Sequence, residues 1–431
     1  MQLVVTARFC ITMQTLATKW KPLVYTADFN NKRKFVVKLG KMLHKYDTPA
    51  YRLEAHLTEL TTHLGLKGSF IISPTSMTFV LWTDGHEQEY THASRVNPGD
   101  LDLGALSRTD ELVDQVLQGN VSINEADALL DAIDVRPSSY GKLATAVAMM
   151  ASGGAFAMLM ATSWNDVLWS SLLSLLVYLF MLWAARSPRI AHMLEPLVAL
   201  AAGIGACAIS SYIDPGINIR LTVLSAIISF IPGLALTIGF AELAARHLVS
   251  GNARIMDALM LLFKLYFGAL LGIAIGFALF GVVDFVKPPP ISRHFAWLAV
   301  GILVSSLIVL FKSRGKYTLW SLAAGFIAYG VSITGATLFD YTMGAFLGAF
   351  AVGLYSNLFT RLANAPAVIV AMHGLIVLVP GSKTYIGLNS LISGQDFVVS
   401  DRVGQQTFLI LMALVAGLIF ANVALPPKKS L

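Results

Sequence analysis

Charge is scarce in this 431-residue chain: Asp, Glu, Lys and Arg make up 13% of it, against roughly a quarter in ordinary globular domains. With 56% hydrophobic residues, that scarcity excludes a soluble protein and indicates a polytopic α-helical membrane protein. Cysteine is rarer still. Cys10 and Cys207 lie far apart, the second inside an apolar run, which excludes a disulfide framework and a cysteine metal site. The chain has no nucleophile elbow, glycine-rich phosphate loop or paired-carboxylate motif, so nothing announces an enzyme, a cofactor or a catalytic residue. The net charge of +6 does not indicate nucleic acid, because many basic residues fall in short loops between apolar runs, where they set orientation in the bilayer. Residues 1–18 are mildly apolar but have neither a preceding basic region nor a small-residue cleavage site. We therefore expect no secretory signal there, and a poorly ordered tail over 1–31.

The charges that exist are unevenly placed. Sixteen of the twenty-five acidic residues come before Gly141, so a water-soluble third precedes a lipid-soluble remainder. Residues 32–141 read as a cytosolic α+β domain. Phe35, Leu39, Met42 and Leu43 recur at helical spacing, and Thr48-Pro49 reads as an N-cap with proline opening a second helix through Leu53, Leu57, Leu60 and Leu64. Three strands are expected over 70–73, 77–82 and 87–96, joined by short turns as an antiparallel meander. Two amphipathic helices follow, the second opened by Ser122-Ile-Asn-Glu125 at capping-box spacing. His44, His56, His63, His86 and His92 fall in this domain, but no acidic or cysteine partner joins them at ligand spacing, so no metal is expected.

Ten apolar segments of about spanning length follow, near 143–161, 166–184, 194–213, 219–239, 258–283, 295–311, 317–336, 340–358, 366–380 and 402–424. If they alternate, Arg186, Arg189, Arg246, Arg254, Lys312, Arg314, Lys316, Arg361, Lys428 and Lys429 share one side, leaving mainly Lys287, Arg293, Lys383 and Arg402 on the other. The positive-inside rule makes the first side cytoplasmic, together with the N-terminal domain and the C-terminus.

Two of these segments carry their own breakers. Ser229-Phe-Ile-Pro-Gly-Leu-Ala-Leu-Thr237 interrupts the fourth, and Val379-Pro-Gly-Ser-Lys-Thr384 ends the ninth, five segments later. The match extends to Leu248-Val-Ser-Gly-Asn252 and Leu391-Ile-Ser-Gly-Gln395. The pattern indicates two five-span units, 142–284 and 285–431, with the second inverted because the number of spans per unit is odd. Inverted repeats with interrupted helices at matching positions build the central sites of many secondary transporters. Lipid tolerates freed backbone groups only where they face protein, water or substrate, and a half-helix N-terminus can hold a carboxylate. The expected substrate-binding set is therefore Ser229, Pro232, Gly233, Thr237, Pro380, Gly381, Ser382 and Thr384. The alternative is that each proline merely kinks a packed helix.

Ionisable residues inside spans are functional candidates. Asp257 and Lys264, seven apart, share a face of the fifth segment, and His373, in the ninth, has the side-chain type suited to proton coupling. The bland readings are hydrated rim positions for the first two and an interhelical hydrogen bond for the third. Glu242 and Arg246 stand at ordinary helix-pair spacing. Gly268, Gly272 and Gly276, and Gly344 with Gly348, are close-packing stripes, which leave a homo-oligomer open without establishing one.

Several segments carry a family resemblance. Thr48-Pro-Ala-Tyr-Arg-Leu-Glu54, Phe70-Ile-Ile-Ser-Pro-Thr75, Val96-Asn-Pro-Gly99 followed by Leu103 and Leu106, Gly119-Asn-Val-Ser-Ile-Asn-Glu-Ala126, Ile231-Pro-Gly-Leu-Ala-Leu-Thr237 and Val379-Pro-Gly381 resemble the bacterial threonine/serine exporter family, from about Lys34 onward. The chain departs from that family at Thr48 and Pro49, which stand where a glycine and an acidic residue often precede the Tyr-Arg element. The resemblance implies a secondary transporter of the cytoplasmic (inner) membrane that exports threonine and serine under the proton-motive force. It also makes Tyr51, Arg52 and Glu54 the candidate residues of the soluble domain. The expected partners are a small amino-acid or carboxylate solute, protons and the lipid bilayer, with no cofactor. The rival readings are a dicarboxylate exporter of the succinate type, a membrane-anchored enzyme and a solute sensor.

Overall fold

Helix α1, Ala27–Lys45, buries Phe35, Val36, Leu39, Met42 and Leu43 along one stripe and turns its lysines outward. The computed structural model describes residues 27–83, 89–283, 288–382, 384–387 and 403–429. The helix starts within the stretch expected to be a tail. Helix α2, Ala50–His63, packs beside α1, and strands β1 (Lys67–Ser73), β2 (Ser76–Trp82) and β3 (Tyr90–Arg95) form the expected antiparallel meander in the order β1-β2-β3. Phe70 faces Phe79 across β1 and β2, with ring centroids 5.9 Å apart and edge to face. Alternation along β1 buries Phe70 and Ile72 and exposes Ile71. Helices α3, Leu103–Leu117, and α4, Ile123–Asp134, complete the layer, capped by Asp102 and Ser122 respectively. Gly99 of the Val-Asn-Pro-Gly turn is obligatory: a Cβ there would lie 2.7 Å from the carbonyl of Lys45 and 2.8 Å from the amide of Asp47. His56 is buried and His63 exposed, so the two do not share a site, and His86 lies outside the described residues.

The expected cap of α2 is corrected. Thr48 is buried, but its hydroxyl makes no capping bond, and the helix begins at Ala50 after Pro49. The free amide of Ala50 instead donates to Glu242 Oε1 at 2.9 Å, from a helix 192 residues away.

All ten apolar segments are helical, but not all are long enough to cross. They form α5 (Lys142–Leu159), α6 (Trp164–Ala184), α7 (Leu194–Tyr212), the bent pair α8 (Ile219–Ala226) and α9 (Gly233–Ala244), and α10 (Leu248–Phe280). After these come α11 (Phe295–Leu310), α12 (Thr318–Leu338), α13 (Tyr341–Ala363), α14 (Val368–Leu378) and α15 (Val403–Ala424). Seven are long and apolar enough to span, or eight if the pair bent by 53° counts as one. Among the described residues, length supports seven or eight of the expected ten. At about 1.5 Å per residue the 11 residues of α14 rise about 16 Å, half of a hydrocarbon core of about 30 Å. Helix α10 is the opposite case: its 33 residues rise about 50 Å, well over that thickness, and it also packs against β1 of the N-terminal domain.

Within each expected unit the third and fifth helices lie against each other. Gly268 and Gly272 of α10 meet the backbone of Pro196 and Leu200 on α7, and Gly417 of α15 meets Phe346 on α13. The first glycine stripe thus serves packing within the chain. The second element of the expected repeat, 391–395, lies outside the described residues.

Arg254, Lys312, Arg314, Lys316 and Lys429 all pair with acids of the N-terminal domain, which fixes these loops and the C-terminal residues on its side. Lys429 Nζ reaches Asp110 at 2.6 Å and Asp114 at 2.7 Å. Burial pushes the Asp110 carboxyl from 3.8 up to about 6, although Lys429 pulls the other way. A raised folded-state value means that Asp110 favours the folded state below pH 4 and that this contribution is lost as pH rises through 6. Thermal melts at pH 4, 5, 6 and 7 should therefore show a wild-type loss between pH 4 and 6 that Asp110→Asn lacks, on the order of 3 kcal/mol at most for a shift of this size.

Candidate functional site

The two Pro-Gly breaks, 148 residues apart in sequence, touch in space. A Cβ on Gly233 would stand 2.9 Å from the Cα of Gly381, and one on Gly381 would stand 3.0 Å from the Cα of Gly233. The local cause is the same on both sides. Proline lacks the amide needed to continue the preceding helix, and a new helix begins at the following glycine. Each proline carbonyl then accepts the amide four residues on, Pro232 from Leu236 at 3.0 Å and Pro380 from Thr384 at 2.8 Å. Glycine at both contact points lets the backbones meet without an intervening side chain.

Beside this contact lies a cavity of about 450 Å³. Ser229, Gly233, Gly381 and Ser382 line it, so four of the eight expected substrate-site residues come together there. Ser229 Oγ lies 3.2 Å from Ser152 Oγ, which adds a third hydroxyl. Met149, Phe156, Met181, Leu303 and Leu307 supply the apolar wall, and Asp100 and Lys312 stand on the side of the N-terminal domain. Pro232 and Pro380 shape the breaks without lining the space. Thr237 and Thr384 spend their hydroxyls inside their own helices, on the carbonyls of Gly233 at 3.0 Å and Pro380 at 2.8 Å.

The expected coupling residues are placed differently. Asp257 and Lys264 are exposed on α10 and do not line the cavity, and Lys264 stands 3.8 Å from Glu195. The expectation that they flank a pore stripe is corrected: neither lines the space at the breaks, and Lys264 faces Glu195 at the start of α7 instead. His373 is fully buried on α14, with Nδ1 2.9 Å from the carbonyl of Ile369 and Nε2 3.3 Å from Ser313 Oγ. Its ring packs on Phe311, which lines the cavity, so His373 stands behind the wall and not in it.

Tyr51, Arg52 and Glu54 lie where the N-terminal domain meets the membrane helices. Glu54 accepts the amide of Ile72 at 3.0 Å and stands 3.5 Å from His247, whose ring lies 6.3 Å from that of Tyr51. Burial raises the pKa of Glu54, against the pull of His247. Arg52 bonds its neighbour Tyr51 at 3.2 Å. The residue that sequence reasoning missed is Glu242. It is wholly buried, accepts Ala50 N–H and Ser250 Oγ (2.8 Å), and stands 3.6 Å from Arg254, which also grips Asp47 at 2.7 Å. The expected pair with Arg246 does not form, because Arg246 follows the end of α9 in the left-handed region at φ 64°.

The chain resembles known proteins along most of its length. Residues 34–276 match the model of the threonine/serine exporter family ThrE, and residues 295–424 match a second model described as Threonine/Serine exporter, ThrE. An uncharacterised protein of Schizosaccharomyces pombe is 24% identical over 435 residues, covering 95% of this chain and 56% of that protein. Pheromone-regulated membrane protein 10 of Eremothecium gossypii is 24% identical over 405 residues, covering 87% of this chain and 52% of its own length. The chain thus spans about half the length of the curated relatives it matches. No solved structure matches it. With more than half of its residues inside the first family model and most of the rest inside the second, the chain belongs to the threonine/serine exporter family of membrane proteins.

Proposed function

We propose that this protein exports small hydroxylated amino acids, threonine and serine, through the cavity at the contact of the two breaks. The observation that carries this reading is that contact, where matched half-helix starts, three serine hydroxyls and an apolar wall enclose one space. Helix starts suit a carboxylate, hydroxyls suit the substrate hydroxyl, and the methionine, phenylalanine and leucine wall suits a short aliphatic carbon chain. The two breaks belong to two matched units of opposite sense, which alternate access by moving one against the other. The host is the cytoplasmic membrane, with the N-terminal domain and C-terminus cytosolic, on the strength of the arginine and lysine distribution.

The charges in the cavity favour a zwitterion over a dicarboxylate. Asp100 and Lys312 contribute one charge of each sign, and Lys312 is already 3.3 Å from Asp102. A dianion would leave a carboxylate without a counter-charge in a largely apolar space. The reading is tested by loading cells with a threonine-containing dipeptide and following threonine outside. Cells expressing the protein should release it several-fold faster than cells carrying an empty vector. Succinate efflux with no threonine efflux would replace the substrate.

Proton coupling is assigned to His373: Nδ1–H donates to the Ile369 carbonyl, which leaves Nε2 to take a proton, and that proton reverses the Ser313 hydrogen bond, so that the serine hydroxyl accepts and must turn its own hydrogen elsewhere. His373→Gln should keep threonine exchange in vesicles and remove the acceleration by an imposed pH gradient. Unchanged acceleration would exclude His373 from coupling.

A further inference from the structure

A second cavity, at the junction of the N-terminal domain with the loop between α11 and α12, is built from cations. A groove of about 290 Å³ is lined by Arg108, Arg136, Ser139, Arg314, Gly315 and Lys316. Glu111 is the acid at its side, and both oxygens are already taken, one by Arg314 at 2.6 Å and the other by Lys316. Arg108 and Arg136 form no ion pair among the described residues. The Nε of Arg108 is buried and without a hydrogen-bond partner among them. Burial, with the charges of Arg136 and Arg314, lowers the pKa of the Arg108 guanidinium, although Asp102 pulls the other way. Four cationic side chains around one groove, with the acid at its side already taken by two of them, repel one another unless an anion occupies the space.

We propose that this groove binds a phosphate-bearing anion, held by the forked donors of Arg108 and Arg136 with Arg314 and Lys316 completing the charge. Guanidinium forks match two phosphate oxygens at once, and Ser139 adds a hydroxyl to the same rim. The volume fits a phosphate or diphosphate group. Such a group has two sources: a soluble phosphate compound from the water side, or the headgroup of an anionic phospholipid, since Arg314 to Lys316 lead directly into membrane helix α12. The site is separate from the cavity between the breaks and does not depend on what that cavity carries.

The test uses the full chain. Thermal melts are recorded in detergent against inorganic pyrophosphate, with sodium chloride at matched ionic strength. They are also recorded in nanodiscs of phosphatidylcholine alone and of phosphatidylcholine with 30% phosphatidylglycerol, about the anionic share that gives a strong surface potential. Arg108→Gln with Arg136→Gln is compared with wild type and with Arg186→Gln plus Arg189→Gln, which removes charge elsewhere on the same side. Arg136→Gln alone is carried in parallel, because Arg136 is exposed and its loss leaves the packing intact. Saturable stabilisation by pyrophosphate, weakened tenfold or more only in the groove variants, supports the proposal with a soluble source. Stabilisation by phosphatidylglycerol that only the groove variants lose supports it with a lipid source. A response that chloride reproduces, no response to either probe, or a response equal in all variants overturns it.

Discussion

Replacing Glu242 with alanine is expected to destabilise the protein by about 3–5 kcal/mol, the range found when one partner of a buried ion pair is removed. Three groups lose a partner at once: the first amide of α2 and the Ser250 hydroxyl their acceptor, and the Arg254 guanidinium a counter-charge. Arg254 keeps Asp47 alone, whose own carboxyl is pushed up by burial despite Arg254 beside it. Removing both ends of the pair should cost less than the sum, so Glu242→Ala with Arg254→Ala should melt within a few degrees of Glu242→Ala alone. Thermal melts of the four proteins in one detergent give the cycle. Additive losses would mean that the two residues act independently and that the N-terminal domain is held by other contacts. Glu242→Gln separates charge from shape: its amide oxygen can still accept Ala50 N–H, so it should fall between wild type and alanine.

Gly233→Ala and Gly381→Ala should each reduce transport by tenfold or more while the protein still reaches the membrane. The added methyl would press on the backbone of the opposite break, at 2.9 Å in one case and 3.0 Å in the other, and backbone cannot swing aside as a flexible side chain can. The effect is on the cavity at the contact, so maximal rate and apparent affinity should change together. A control is Gly141→Ala, where a Cβ meets nothing within 4 Å and transport should be unchanged. Wild-type transport in both break variants would mean that the breaks only terminate helices.

The breaks themselves were legible in the sequence, because proline and glycine inside apolar runs have few physical meanings. Their contact was not, since sequence spacing carries no information about which half-helices meet across 148 residues. The helices, the meander and the capping at Ser122 followed from periodicity and turn chemistry. The count of spans did not, because an 11-residue apolar helix and a proline-terminated longer one look alike in hydropathy. Glu242 was misread for a definable reason. Spacing of four assumes a continuing helix, whereas Arg246 adopts φ 64° and leaves it, so the carboxylate turns to Arg254, Ser250 and Ala50 instead. Asp257 and Lys264 illustrate the converse. They share a face as their spacing required, but which face a helix turns to its neighbours is settled by packing, here by the glycines that set α10 against α7.

The central claim is that substrate occupies the space beside the two breaks. The most direct measurement is thiol protection in proteoliposomes, with Cys10 and Cys207 replaced by serine and alanine and either Ser229→Cys or Ser382→Cys introduced. Saturating threonine should slow modification of both positions by a small membrane-permeant maleimide several-fold, and the modified protein should no longer carry threonine. Modification at the same rate with and without threonine at both positions, with flux intact afterwards, would contradict it.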